Sequence, residues 1–436
     1  MTNTLLCKIG QYSRSIYLYF GIFSCLYIVI FGYGTTSDTL SYIELDPIRT
    51  AGYPLILKIY NILFSDYYLY IISFSQIFLW ISLSYIFSKK ISEIFEINSN
   101  YKFLFLLILC VPLNPQQEYG TTITTEGFAF ALSLCILLIT LKNYENNRSK
   151  YIIYTLILFI VAQLIRPQLS FYLFVFVFLS FIFILIGHKK KSLLTFLLGL
   201  IGFLFATNID KTYHYIKHDF FGQVPFVGMQ LIALPFDTVS EQAILKIENL
   251  KDRDVLLKMK DRARERGLHP DQRYGYPFTP YREIFAYATA YNQIIREVNR
   301  NYVREIFPEL SKSEQDSYLT HLAIELVLTG LKNEPLKLIK AYLSNILHIG
   351  FGNWVWGSIC LITLMVSFIL FFQTQTVPLY MILLLASSHF INISIVSVLE
   401  PVLFRYSFYT GLPLGIVILA FCLSSLHRLS IRKVTS

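Results

Sequence analysis

The sequence predicts an all-α polytopic membrane protein with about ten transmembrane helices. Of its 436 residues, 55% are hydrophobic and only 15% are charged, whereas soluble domains average roughly 25% charged residues. Apolar runs with few charges recur along the chain, and a run of about 20 such residues crosses the hydrocarbon core as a helix. One long polar stretch, residues 210–340, interrupts the series. The pattern therefore favours a helical membrane fold that carries one large polar domain.

The apolar runs place seven transmembrane helices before the polar stretch and three after it. In chain order they cover residues 15–33, 67–88, 103–117, 124–141, 151–165, 169–187, 192–208, 355–372, 377–398 and 406–426. Residues 1–209 thus form a first membrane bundle, whose first outer loop is 34–66. Residues 341–436 form an interfacial segment followed by the last three helices.

Charge asymmetry gives these helices a direction. With the N-terminus inside, the short inner segments hold fourteen Lys and Arg residues, and the short outer segments hold only Arg49, Lys58, Arg166 and Arg405. Cytoplasmic loops are enriched in basic residues, so both termini are predicted to face the cytoplasm. The polar stretch 210–340 then becomes a mainly helical extracytoplasmic domain between helices 7 and 8.

The net charge of +9 does not indicate a nucleic-acid partner. Nucleic-acid binding needs a basic face on a soluble domain. Residues 210–340 hold 19 Lys and Arg against 18 Asp and Glu, so the polar domain is nearly neutral. The basic excess lies in the membrane loops, which makes the lipid bilayer the expected partner.

The first outer loop collects chemically capable side chains on the predicted outer face. Asp38, Tyr42, Glu44, Asp46 and Arg49 all lie within it, and Tyr53 follows in a Gly-Tyr-Pro turn. A carboxylate at the lipid boundary can act as a general base, or it can simply cap a short helix that carries Tyr42. The three acids can also supply oxygen ligands to a metal or form a solvated acidic loop, so metal binding stays open.

Three further charged residues open or close helices on the same predicted face. Glu126 begins the fourth helix, Arg166 joins the fifth to the sixth, and Arg405 precedes the last. Guanidinium groups bind phosphate in a bidentate manner. Alternatively, both arginines extend to the interface from helix ends, and Glu126 pairs with one of them.

The segments Ser37-Asp38 with Tyr42, and Arg49-Thr50-Ala51-Gly52-Tyr53-Pro54, resemble the first outer loop of the GT-C glycosyltransferases. This superfamily includes bacterial aminoarabinose transferases and protein mannosyltransferases. Thr125-Glu126, Arg166-Pro167 and Arg405-Tyr406 continue the resemblance along most of the membrane portion. Two positions depart from the family pattern, since Thr39 follows Asp38 where the family often has a second acid, and Ala51 replaces a proline.

The resemblance implies transfer of a sugar from a polyprenyl-phosphate carrier to a glycan, lipid or protein acceptor of the cell envelope. It implies Asp38 as the general base of an inverting reaction and Arg166, Arg405 and Arg49 as donor-phosphate ligands. Glu126, Tyr42, Tyr53, Glu44 and Asp46 would support them. The resemblance implies no particular cofactor and leaves a divalent cation open. The location implied is a bacterial cytoplasmic membrane, with the site facing outward.

Two alternatives come from other classes of membrane protein. An O-antigen-type polysaccharide polymerase or ligase also has many helices, outer arginines and a large outer loop. A secondary transporter places ionisable groups at mid-membrane in broken helices and often shows inverted repeats, and no such repeat is evident in the sequence.

Overall fold

The computed structural model describes residues 21–36, 38–98, 101–113, 121–146, 148–222, 230–273, 287, 289–347, 354–401 and 404–435. Most of these residues are helical. Within these ranges the only β-type pairing is an isolated parallel bridge between Gly34 and Thr122. The helical fold class predicted from the sequence is confirmed for this part of the chain.

The chain divides into two compact units. The bundle unit comprises Met1–His214, Leu361–Ile391 and Phe408–Ser436, and the inserted unit comprises Tyr215–Cys360 and Asn392–Ser407. The polar stretch 210–340 therefore falls almost wholly in the inserted unit. That unit also takes in residues 341–360 and 392–407, which the sequence assigned to the final membrane segment.

Nine helices of the bundle unit precede residue 219 within the described ranges. They are α1 (Gly21–Phe31), α2 (Thr39–Ile43), α3 (Gly52–Phe64), α4 (Tyr68–Ile94), α5 (Tyr101–Cys110), α6 (Glu126–Asn146), α7 (Ser149–Ile165), α8 (Phe171–Leu185) and α9 (Lys189–His218). Within the predicted first outer loop, α3 begins at Gly52 and leads through a short 3-10 turn into α4.

Further helices belong wholly or partly to the inserted unit. They are α10 (Ala233–Thr238), α11 (Glu241–Ile244), α12 (Leu250–Glu265), α13 (Pro270–Arg273), α14 (Asn301–Ile306), α15 (Lys312–Asn333), α16 (Pro335–Leu347), α17 (Trp354–Thr374), α18 (Val377–Leu399) and α19 (Phe404–Thr435). A π-helical segment, Ile294–Arg300, leads into α14. The hydrophobic core includes Phe236, Leu256, Met259, Ile294 and Leu322, which are fully buried.

Seven helices within the described residues are long and apolar enough to cross a membrane. They cover Gly52–Ile94, Glu126–Asn146, Pro167–Leu185, Lys189–His218, Val355–Thr374, Val377–Leu399 and Tyr406–Leu426. The other three predicted spans coincide with shorter apolar helices, Gly21–Phe31, Tyr101–Leu113 and Lys150–Ile165. The fold is therefore consistent with an all-α membrane protein, while the total of ten spans and their orientation stay predictions.

Aromatic packing fixes the centre of the bundle unit. Trp80 of α4 is fully buried, stacks on Phe130 of α6 at 4.2 Å between ring centroids, and donates its indole N–H to the Leu109 carbonyl at 2.9 Å. Phe408 of α19 also stacks on Trp80, with a distance of 5.7 Å between the ring centroids. Buried Trp needs a partner for its N–H, and α5 supplies it.

Two loops at one end of the bundle are tied together by backbone hydrogen bonds. Gly34 N donates to Thr121 O and Ile123 N donates to Gly34 O, both at 3.0 Å. The Thr39 hydroxyl adds a buried hydrogen bond to Ile123 O at 3.0 Å. The segment after α1 and the segment before α6 are thereby held side by side, and each carries candidate site residues.

Gly52 allows α3 to begin directly against the end of α7. A Cβ atom at this position would lie 2.6 Å from the carbonyl carbon of Leu164 and 2.7 Å from Ile165 N. Both are backbone atoms, so neither can move aside as a flexible side chain would. The Arg49 to Gly52 segment therefore depends on a residue without a side chain.

We expect Gly52→Ala to lower the free energy of unfolding by about 1–3 kcal/mol, as overpacking in a tight site usually does. The measurement is thermal unfolding of the purified protein in detergent. Gly21→Ala is the matched control, because its Cβ would make an ordinary contact, 3.7 Å from Ile81 Cδ1. Equal melting temperatures for the two variants would contradict the close approach of α3 to α7.

Candidate functional site

Asp38 and Arg49 form an ion pair within the first loop. Arg49 Nη2 donates to Asp38 Oδ1 at 2.6 Å, and the two side chains are only 16% and 23% exposed. Asp38 precedes α2 at the helix-capping position, but its side chain makes no capping hydrogen bond. The alternative role of Asp38 as a simple helix cap is therefore not what the structure shows.

Arg49 is fixed by two further partners on α2. Its Nε donates to the Ser41 hydroxyl at 2.8 Å and its Nη1 donates to the Tyr42 hydroxyl at 3.1 Å. The guanidinium also lies over the Tyr42 ring, 4.3 Å from the centroid, in a cation–π contact. The short helix carrying Tyr42 was predicted. It presents the Ser41 hydroxyl, the Tyr42 hydroxyl and the Tyr42 ring to the Arg49 guanidinium.

Asp210 fixes the end of this loop at Ala51, and it was not identified from the sequence as a site residue. Asp210, near the end of α9, accepts a hydrogen bond from Ala51 N at 2.9 Å, and its carboxylate lies 3.6 Å from His214 Nε2. All three residues are buried. The available signal was a carboxylate and a histidine that lie four residues apart, on one helix face, directly after the apolar run 192–208.

Glu126 and Arg166 form a second and more deeply buried ion pair. Arg166 Nη1 lies 3.1 Å from Glu126 Oε1, with side-chain exposures of 10% and 4%. Arg166 Nη1 also donates to the Thr125 hydroxyl at 2.6 Å, and its guanidinium lies 5.3 Å from the centre of the Tyr409 ring. Arg166 therefore points into the protein and does not extend to the interface. Its pairing with Glu126 is the other alternative that the sequence left open.

Local sequence explains why Arg166 leaves the helix at this point. The residue before a proline is driven away from the helical region, and Arg166, followed by Pro167, is extended with φ −144° and ψ 109°. Helix α7 thus ends at Ile165 and a 3-10 turn begins at Pro167. Gln168 on that turn accepts from Arg166 Nε at 3.2 Å.

Tyr42 lies within electrostatic reach of both ion pairs. Burial raises the pKa of its hydroxyl, Arg49 opposes that shift, and the charges of Glu126 and Arg166 act on the same group. The hydroxyl therefore remains protonated at neutral pH. It accepts from Arg49 and keeps its own hydrogen to donate.

Tyr53 packs against Tyr42, and Gln76 fixes the Tyr53 hydroxyl. The Tyr42 and Tyr53 rings meet edge to face at 5.0 Å, and Tyr53 in turn contacts Phe128 at 6.1 Å. Gln76 Nε2 donates to the Tyr53 hydroxyl at 3.0 Å and to Thr124 O at 2.9 Å. This buried amide links the first loop to the start of α6 and was not foreseen.

Other predicted site residues have different surroundings. Asp46 accepts a hydrogen bond from Ile48 N at 3.0 Å within its own turn, and Glu44 is exposed just after α2. Arg405 belongs to the backbone of α19, but its side chain lies outside the described part of the structure. Its assignment as a phosphate ligand stays a prediction.

Metal binding at the first loop also stays open. Among the described residues there is no group of three or more His, Cys, Asp or Glu side chains arranged to hold a metal ion. Asp38 Oδ1 is in contact with Arg49 and Asp46 Oδ1 with a backbone amide.

Comparisons with protein-family models, curated proteins and solved structures find no match to this chain. The chemistry of the site therefore has to be argued from its geometry. Two carboxylates and two guanidinium groups lie at one end of the bundle, together with a protonated tyrosine. Such a cluster can bind a phosphate through the arginines and accept a proton through a carboxylate.

We expect Glu126→Ala or Arg166→Ala to destabilise the protein by about 3–5 kcal/mol each, because either leaves a buried charge without its partner. The double variant should be less destabilised than the sum of the two single variants. Chemical denaturation of the four proteins in detergent gives this coupling.

The exposed pair Lys89 and Glu93, with side-chain exposures of 55% and 53%, provides the control. Lys89→Ala should change the free energy of unfolding by less than about 0.5 kcal/mol, as is usual for exposed helix pairs. Strict additivity at Glu126 and Arg166 would show that the pair has no energetic coupling.

Proposed function

We propose that this chain is a membrane glycosyltransferase that moves a sugar from a polyprenyl-phosphate carrier to a glycan, lipid or protein acceptor of the cell envelope. The observation that carries the proposal is the presence of two largely buried ion pairs, Asp38 with Arg49 and Glu126 with Arg166, in the first loop and at the start of α6, which backbone hydrogen bonds hold side by side. The GT-C-like motifs supply the substrate class. The membrane is that of the bacterial cytoplasm, with the site on the outer side.

The reaction places few demands on the protein. A sugar phosphate already contains a good leaving group, so one base on the acceptor and cations on the departing phosphate are sufficient. Asp38 takes the proton of the acceptor hydroxyl, the acceptor oxygen forms its bond to the anomeric carbon, and the bond from that carbon to the phosphate oxygen breaks. Polyprenyl phosphate leaves, and the configuration of the sugar is inverted.

Arg49 and Arg166 are each held in the unbound protein by a carboxylate. The phosphate of the donor is a diester with two free oxygens and one negative charge, and guanidinium binds such a group in a bidentate manner. As the sugar leaves, the phosphate gains a third free oxygen and further negative charge, which the arginines stabilise. Arg49 turning from Asp38 to the donor would release the carboxylate that acts as base. The ion pair at 2.6 Å is then the resting form of the site, and donor binding activates Asp38.

We expect Asp38→Asn to lower sugar transfer by about 10²- to 10⁴-fold, the usual contribution of a general base. Membrane abundance and melting temperature should be close to those of the natural protein. The assay is incorporation of label from a polyprenyl-phosphate sugar in membranes that contain the variant.

Asp66→Asn is the matched control, since Asp66 is an exposed acid on the turn between α3 and α4. It should retain full activity. Full activity of Asp38→Asn in the same assay would remove Asp38 as the base.

We expect Arg166→Lys to raise the KM for the donor, because lysine keeps the charge but loses the bidentate contact. The KM for the acceptor should not change. If a folded Arg166→Lys variant has an unaltered KM for the donor, the ion pair between Arg166 and Glu126 has only a structural role.

Product analysis separates the proposed reaction from its two alternatives. Mass spectrometry of envelope glycans from cells with and without the gene identifies sugar and acceptor together. Loss of a single sugar decoration supports the transferase, whereas loss of long polymer would indicate a polymerase or ligase. A transporter would accumulate substrate in sealed vesicles and form no glycosidic bond.

A further inference from the structure

An exposed apolar stripe runs along two consecutive helices of the inserted unit. Helix α15 exposes Ile324 (48%), Leu328 (55%) and Leu331 (47%), and α16 exposes Leu336 (82%), Ile339 (44%) and Leu343 (49%). Spacings of three, four and seven residues place each set of three on one helix face. In the described residues between 230 and 347, the other exposed large aliphatic side chains are Leu245 and Leu250. The stripe is therefore concentrated on this helical hairpin.

The opposite faces of both helices are already occupied. Leu319, Leu322 and Leu326 of α15 are fully buried in the core of the inserted unit. On α16, the Tyr342 hydroxyl donates to Ser394 O and Asn345 Nδ2 donates to Ser397 O, each at 3.0 Å. Neither helix therefore packs against the rest of the inserted unit through the residues of the stripe.

Those same contacts locate α16 relative to the membrane. Ser394 and Ser397 belong to the last two turns of α18, one of the seven candidate spans. The last residue of α16 also meets α17, the candidate span that precedes α18, since a Cβ on Gly357 would lie 2.9 Å from Leu347 O. Because α17 and α18 are consecutive spans, the start of α17 and the end of α18 reach the same membrane face. The C-terminal end of α16 therefore lies at a membrane boundary.

Charge favours lipid over a second copy of this chain as the occupant of the stripe. Lys332, Lys337 and Lys340 are exposed beside it, while the acid of the turn, Glu334, accepts a hydrogen bond from Ser240 N at 2.8 Å. In a symmetric dimer, the same three lysines would face their copies across a two-fold axis. Anionic lipid head groups complement them, and apolar side chains flanked by lysines are typical of interfacial helices.

We propose that α15 and α16 form an interfacial membrane anchor for the inserted unit. Leu328, Leu331, Leu336, Ile339 and Leu343 enter the boundary between head groups and acyl chains, and the three lysines bind anionic lipid. The inserted unit is thereby held to the bilayer by a surface contact in addition to its connections with the membrane helices. This inference is independent of the glycosyltransferase proposal.

Nitroxide labels in the full-length protein test the anchor. Single cysteines are introduced by Leu336→Cys, Ile339→Cys and, as control, Leu250→Cys, in a chain whose six natural cysteines are replaced. The proteins are reconstituted into vesicles of phosphatidylcholine and phosphatidylglycerol. Oxygen partitions into lipid, whereas a nickel chelate stays in water. The ratio of label collisions with oxygen to label collisions with the chelate should be several-fold higher at the positions of Leu336 and Ile339 than at that of Leu250.

Equal ratios at all three positions would overturn the proposal. So would spin–spin broadening at the position of Leu336 that disappears on dilution with unlabelled protein, because it would identify a second copy as the occupant. Lys332→Gln, Lys337→Gln and Lys340→Gln together should lower the ratio in mixed vesicles and leave it unchanged in pure phosphatidylcholine. An undiminished ratio in mixed vesicles would overturn the anionic-lipid part.

A measurement without substitutions covers the case in which a labelled variant does not fold. A photoactivatable phosphatidylglycerol analogue, incorporated in the same vesicles with the natural protein, should crosslink to peptides from residues 324–343. Peptides from residues 245–260 should remain unmodified. Crosslinking at equal yield in both regions would contradict the anchor.

Discussion

The candidate site depends on the ion pair between Glu126 and Arg166. A carboxylate that is 4% exposed near the boundary of a membrane bundle is unfavourable unless a cation neutralises it, and Arg166 also needs its own partners. The pair joins the beginning of α6 to the junction of α7 and α8. Thr125 and Gln168 complete the hydrogen bonding of the guanidinium. In this arrangement of the three helices, the carboxylate and the guanidinium group satisfy each other.

The first loop is built on that arrangement. Backbone pairing between Gly34 and the segment 121–123 places α2 next to the start of α6. Tyr42 accepts a hydrogen bond from Arg49, and the charges of the buried pair act on the same hydroxyl. Catalytic arrangements often combine groups with opposed electrostatic needs in one small volume. Here each carboxylate has its own arginine, Asp38 with Arg49 and Glu126 with Arg166.

Sequence reasoning predicted those features that depend on local pattern. Apolar runs predicted the spans because backbone groups in lipid must be satisfied within a helix. The ends of the apolar runs predicted that Glu126 begins a helix and that Arg166 lies between two helices. Pro167 terminates α7 as expected, because the residue before a proline disfavours the helical conformation. Pairing of Glu126 with one of the two arginines was among the alternatives, but the partners of the other charges were harder to predict. Nothing in the spacing of Asp38 and Arg49 indicates a direct ion pair, and Asp210 contacts Ala51 across a separation of 159 residues. Such contacts depend on how the helices pack, which a single sequence does not specify.

The hydrogen bond from Ala51 N to Asp210 also constrains the order in which the protein is made. The ribosome synthesises the first loop long before α9, so the Ala51 amide has no access to its acceptor until α9 has been made. Until then the final conformation of the segment from Arg49 to Gly52 lacks the hydrogen bond that satisfies this amide when it is buried. The candidate site is therefore completed only after α9 has packed against the first loop. A nascent chain released before Asp210 would lack the bond that fixes this segment.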